Sequence, residues 1–365
     1  MDTRPDVARP DDPRPDDTRN DVNGRRRNLS KLPLDGWERS LLVLLVLLVA
    51  GLCLSVDGFY PGFGGFLALT ENFLPFGLVA LGLTTVILTG GIDLSVGATA
   101  GLSAIVMAEL WSGLHLSIWL AALAGLLAGG VLGAINGLII TRLRTEPLIA
   151  TLATSFIYAS IATALAGPSP PSGFPDSFNL VGTGTLVGPI PLQLVLFAVL
   201  ALLFTLLLQY STFGRRIVMV GYSSEAARYS GLRIDRIVLA AYVISGVMSA
   251  FAGIVLAAYY SAVRPDMGDV LLLSTITIVV LGGVSIFGGE GRVAGVVIAV
   301  LLLGFLRQGM LIAGYSDMVT TMLTGAILLG AIGIKNILSG RGTGLAALLT
   351  RVRGTRPASA SGAAE

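Results

Sequence analysis

Between residues 40 and 334 the chain alternates long apolar stretches with short polar joints, and that alternation restricts it to a fold of membrane-crossing helices. The stretches run to roughly 16–24 residues, the length a helix needs to cross ~30 Å of hydrocarbon. In lipid every backbone N–H and C=O must be bonded within the protein, and a helix meets that demand alone. The pattern predicts about ten crossings, at 40–56, 72–92, 96–112, 117–140, 147–166, 191–209, 238–260, 271–287, 293–313 and 318–334. Only 13% of residues are charged, whereas a soluble domain carries about 25%. The expected fold class is therefore all-α and polytopic.

Charge sets the expected orientation. With the N-terminus inside, the cytoplasmic segments hold Arg25–Arg27, Lys31, Arg39, Arg142, Arg144, Arg215, Arg216, Arg228, Arg233, Arg236, Arg292, Lys335, Arg341, Arg351, Arg353 and Arg356, and the outer ones hold only Arg264. Lys and Arg favour the cytoplasmic side, so an even number of spans places both termini there. Trp111, Trp119, Tyr259 and Tyr260 fall at outer ends and Trp37 and Tyr210 at inner ones, as rings of the headgroup zone do. Residues 1–38, rich in Arg, Asp and Pro, read as a disordered cytosolic tail. Residues 39–337 form the transmembrane domain, and 338–365 read as a flexible C-terminal tail. The Pro- and Gly-rich segment 167–190 is the largest outer loop.

One joint is unlike the others. Leu88–Gly97 (LTGGIDLSVG) sets Asp93 and Ser95 among glycines between two apolar stretches. A carboxylate and open backbone at membrane depth persist only when buried in protein or beside a watery path. Gly90, Gly91, Asp93, Ser95 and Gly97 are thus candidates for a transport pathway. Gly282 and Gly283 open a similar run, GGVSIFGG, after a second β-branched stretch. Paired glycine-interrupted segments point to a pathway, although two tight turns between helices give the same pattern. Thr85, Thr89, Ser274 and Thr277 are possible hydroxyl partners for a neutral solute. Asp93 itself reads two ways, as a solute contact or as the start of the next helix. Arg307, inside the ninth span, either snorkels or pairs with a partner subunit.

Packing is written in a stripe. Gly125, Gly129, Gly133 and Gly137 recur every fourth residue on one helix face, where small residues let backbones approach. Asn136 beside them suits an interhelical hydrogen bond.

Several functions are excluded. A net charge of +2 gives no footprint for a nucleic-acid partner. Cys53 is the single cysteine and His115 the single histidine, so neither a disulfide within the chain nor a metal cluster built on thiolates is available. Cys53 reads as an unreactive membrane cysteine, and His115 as a residue of an outer turn. No GxxxxGK[ST] motif is present to cradle phosphates. An enzyme would need a converging nucleophile, base or metal set, which is lacking. An ion-coupled carrier usually buries carboxylates mid-span, yet Glu71, Asp93, Glu109 and Glu146 all fall near span ends.

LTGGIDLSVGA from Leu88, EPLIATLAT from Glu146, GRRIVMVGYSSEAARYSGL from Gly214 and VVLGGVSIFGGEGRVAG from Val279 are informative as a set. Together they resemble the permease subunits of bacterial ATP-binding-cassette importers for monosaccharides, the branch serving ribose, xylose, rhamnose and the sugar-like signal autoinducer-2. The resemblance spans about residues 40–335. It implies a half-channel in the bacterial inner membrane that pairs with a second permease subunit, identical or related. An external binding protein would deliver the sugar. Two cytosolic ATPase domains would carry ATP and Mg, leaving no cofactor on this chain. It also implies that Ser224, Glu225, Ala226, Ala227, Arg228 and Gly231 form the short helix that meets the ATPase. Ser224 is expected to cap that helix and Gly231 to end it. A plain surface loop is the alternative.

Overall fold

A computed structural model of the chain describes residues 35–338, so the expected tails at 1–34 and 339–365 lie outside the described residues. Helix α1 (Gly36–Ser55) begins before the expected boundary, and Gly36, Trp37 and Glu38 form its first turn rather than tail. A short α2 (Phe63–Ala68) and a 3₁₀ turn (Leu69–Asn72) lead into α3 (Leu74–Leu88), bent 50° from them. Then come α4 (Val96–Gly113), α5 (Ile118–Leu143) and α6 (Pro147–Ala166).

The outer segment is built, not loose. It holds α7 (Asp176–Thr183) and a small antiparallel hairpin of β1 (Thr185–Val187) and β2 (Ile190–Pro191). Phe174 and Phe178 are buried there, edge-on to Trp111 and Trp119. Burying such rings stabilises by roughly 1.5–3 kcal/mol each, which anchors the segment to the bundle. The chain continues through α8 (Leu192–Thr205, extended by a π turn to Tyr210), α9 (Thr212–Tyr222) and α10 (Ser224–Tyr229). It closes with α11 (Ile234–Tyr260), α12 (Asp269–Leu281), α13 (Val293–Ile312) and α14 (Asp317–Leu338).

Among the described residues seven helices are long and apolar enough to cross a membrane, or eight when the bent Phe63–Asn72 and Leu74–Leu88 pair counts as one. The expected spans at 72–92, 271–287 and 318–334 are not among the seven, the first counting only when joined to Phe63–Asn72. The helices at the first two, α3 and α12, hold 15 and 13 residues, or only about 22 and 20 Å at 1.5 Å per residue. Glycine is the cause. Gly90 and Gly283 take φ values of +85° and +89°, a left-handed turn that side chains resist and that ends a helix.

α11 is the central post, packed on α3, α4, α5 and α7. The stripe on α5 lies along it. A methyl group at Gly125 would stand 2.8 Å from the Ser103 carbonyl of α4, one at Gly129 2.6 Å from the Gly246 carbonyl, one at Gly133 3.1 Å from the Val243 Cα, and one at Gly137 3.0 Å from the Leu239 Cα. Backbones this close replace the hydrophobic drive that lipid does not supply. The lipid-facing side of α5 is apolar instead, with Leu120, Leu123, Leu127 and Val131 exposed. Cys53 is exposed on α1.

Candidate functional site

Asp93 is sealed inside the first glycine break. It is 1% exposed. One oxygen, Oδ1, accepts from the Ser95 amide at 3.0 Å and the Ser95 hydroxyl at 2.7 Å. The other, Oδ2, accepts from the Ser245 hydroxyl of α11 at 2.9 Å. Ser95 in turn accepts from Asn136 Nδ2 at 2.7 Å, and Tyr158 donates to Asn136 Oδ1 at 3.3 Å. A buried charge survives only when its lone pairs are matched in this way. Asp93 thereby ties the break to the start of α4 and, through Asn136, Tyr158 and Ser245, to α5, α6 and α11. Thr151 completes the brace, accepting from the Leu94 amide at 3.0 Å and donating to the Ile92 carbonyl at 3.2 Å.

The expected hydroxyl partners are mostly committed elsewhere. Thr85 donates to the Gly82 and Ala241 carbonyls, Thr89 to Val86 and Thr277 to Leu273. Threonines in helices bond back this way when no better partner is near. Arg307 pairs within the chain, its Nη2 2.6 Å from Asp317 Oδ1, a partner the sequence did not indicate. His115 lies exposed in the α4–α5 turn at φ +51°. No cluster of three metal-ligating side chains occurs among the described residues.

The two glycine breaks meet each other. The Gly289 amide donates to the Leu88 carbonyl at 3.0 Å, and a methyl at Gly288 would stand 2.7 Å from the Gly90 nitrogen. A third strand of backbone enters the same place. At Gly221, the penultimate residue of α9, an added methyl would collide with the Leu88 carbonyl and approach the Gly289 nitrogen to 2.5 Å. The same added methyl at Gly288 would stand 3.0 Å from the Gly221 Cα. Gly90 and Gly282 therefore share one end of the bundle with the segment before α10. Sequence patterning missed this three-way junction, and its only written signal was glycine at each of the meeting points.

α10 projects from the junction. Ser223, not Ser224, caps it: the Ser223 hydroxyl accepts from the Ala226 amide at 3.2 Å, the reach expected of a residue three before the bonded amide. Ser224, Glu225, Ala226 and Arg228 are exposed and Ala227 is buried. Gly231, at φ +77°, turns the chain out of the helix. Tyr222, Tyr229 and Phe287 are exposed around it, at 78%, 86% and 66%.

The second break has one more anchor. Trp37 Nε1 donates to the Leu281 carbonyl at 2.9 Å, satisfying an orphan acceptor at the end of α12. Glu38, 3% exposed, lies 3.5 Å from Arg292 at the start of α13.

Residues 65–332 match the family model described as "Branched-chain amino acid transport system / permease component". The chain belongs to this permease family. The permease is 38% identical over 298 residues to the "Autoinducer 2 import system permease protein LsrD" of Enterobacter sp. (strain 638), covering 80% of this chain and 90% of that one. Proteins of the same name from Yersinia enterocolitica and Klebsiella pneumoniae are also 38% identical, over 301 and 306 residues, and 90% of each is covered. No solved structure matches the permease. It is an all-α, multi-pass membrane protein whose glycine breaks and α10 lie within the matched region.

Proposed function

We propose that this chain is the membrane subunit of an ATP-binding-cassette importer that takes up a monosaccharide or an autoinducer-2-like sugar across the bacterial inner membrane. One observation carries the reading: an exposed short helix, α10, springs from the point where both membrane breaks are fastened together. A motor gripping Ser224–Arg228 and the neighbouring Tyr222, Tyr229 and Phe287 would pull on Leu88 and Gly289 at once. Exposed aromatic rings are the residues that carry binding energy at protein interfaces. The relatives named as autoinducer-2 import permeases support the substrate class. In this reading a second permease subunit completes the channel, an external binding protein hands over the sugar, and two cytosolic ATPase domains hydrolyse ATP.

The test is uptake into proteoliposomes. With the cognate ATPase and loaded binding protein, sugar enters only when ATP is present on the ATPase side. Accumulation by the chain alone, driven by a proton or sodium gradient, overturns the proposal.

A further inference from the structure

Arg264, Asp266 and Asp269 lie at the joint between α11 and α12, which the sequence expects to be an outer one. The structure carries this joint down into the bundle. A methyl group at Gly97 would stand 2.5 Å from the Gly268 carbonyl, and one at Gly101 2.5 Å from the Pro265 carbonyl. Both glycines belong to the first turns of α4, and Gly113 at its other end stands roughly 18–24 Å away at 1.5 Å per residue. α11 gives the same depth. A methyl at its Gly253 would lie 3.1 Å from the Ala100 Cα, and the helix runs about 10 Å further to Tyr260 before the chain doubles back. With Trp111 and Tyr260 at the headgroup level, residues 264–269 sit near the middle of a ~30 Å hydrocarbon layer. This accounts for the 13 residues of α12, which starts at mid-depth and is ended by Gly283.

The joint is not sealed by its own chain. The side chains of Arg264 and Asp266 are 71% and 55% exposed and bond each other at 2.6 and 3.0 Å. Asp269 is exposed too, and its carboxylate accepts from no described residue. Val270 and Leu273 continue this flank along α12, and both are exposed. Turns and charged groups at such depth persist against protein or enclosed water, never against acyl chains. A flank that one chain leaves open encloses no water by itself, so a second protein surface completes it.

We infer that the second permease subunit packs against this flank, an inference that rests on the importer reading above. The flank carries both signs. Asp266 takes two of the five N–H donors of Arg264, which leaves three without a partner among the described residues. Asp269 brings an unpaired carboxylate beside them. A like subunit turned about a two-fold axis therefore meets the flank sign against sign, and Val270 and Leu273 add apolar contact below. The exposed side of α5 at Leu123, Leu127 and Val131 has no charge and suits acyl chains instead.

Photo-cross-linking in membranes of cells that make the whole importer tests the seam. Val270→benzoylphenylalanine, once irradiated, is expected to shift in mass by one further permease subunit. Leu127→benzoylphenylalanine, on the lipid side of α5, is expected to join lipid and show no such shift. Leu273→benzoylphenylalanine repeats the first result at a second position, which guards against one variant that fails to assemble. Adducts with lipid alone at both α12 positions overturn the seam, and so do adducts with the binding protein or the ATPase in place of a permease. Uptake by the wild-type importer is measured beside them. Absence of ATP-driven uptake overturns the importer reading, whereas a permease adduct at Val270 in the same membranes still upholds the seam.

Discussion

The Gly289 amide and the Leu88 carbonyl, 3.0 Å apart, join two breaks that the sequence separates by most of its length. Leu88 ends α3, where a carbonyl must find a partner outside its own helix, and Gly289 lies in the loop between α12 and α13. The second break therefore satisfies the carbonyl at the first.

Gly221→Ala is expected to jam this joint. Its methyl meets backbone at Leu88 and Gly289 rather than a flexible side chain, so α9 must shift, at a cost of about 1–3 kcal/mol for overpacking. Membrane insertion persists while uptake and ATP hydrolysis lose their coupling, measured as transported sugar per ATP. Tight coupling in this variant would show that the junction is not part of the drive.

Asp93→Ala strands the Ser95 amide and the Ser95 and Ser245 hydroxyls in a dry site. Orphaned buried donors cost roughly 1–3 kcal/mol each, and the variant should unfold well below wild type in a detergent melt. Were Asp93 a solute contact instead, the melt would hold and only uptake would fall.

Trp37→Phe keeps the ring beside Gly283 and removes the single donor to Leu281. The loss is about 0.5–1.5 kcal/mol and local, so hydrogen exchange of the amides at 282–284 quickens while the amides of α5 and α11 stay as protected as before.

Gly133→Leu places a large side chain against the Tyr242 and Val243 backbone. The α5–α11 seam opens, and the melting temperature falls by more than for Gly113→Leu, where nothing lies within 4 Å.

Arg264 is the lone basic residue of the expected outer segments, and it is neutralised in place by Asp266 at 2.6 Å. The hydrogen bond from Arg264 holds the Asp266 carboxyl below its ordinary value. A depressed carboxylate contributes stability above the unfolded pKa of about 3.9 and loses it as pH falls through the folded value. Both side chains are more than half exposed, so the contribution is small. A melt of wild type against Arg264→Gln should show a slight gap at pH 7 that closes in acid below the range where Asp266 titrates.

Helical periodicity, span length and the every-fourth glycine stripe are local signals, which is why most of the helices could be read from residues alone. Gly90 and Gly283 announced turns, but no pattern states what a turn touches. The meeting of Leu88 with Gly289, the Ser245 hydroxyl on Asp93 and the Asp317 partner of Arg307 all depend on tertiary packing. Ser223 and Ser224 are chemically equivalent caps, and only the backbone angle, extended at Ser223, separates them. Gly36–Glu38 read as tail because their neighbours are polar, yet Trp37 and Glu38 are held by partners on α12 and α13.

All fifteen residues of α3 are buried, from Leu74 at its start to Leu88 at the glycine joint. Close packing along the whole length leaves it no room to flex midway. At about 22 Å long, it is expected to carry a shift at Leu88 toward Leu74 rather than absorb it within the helix.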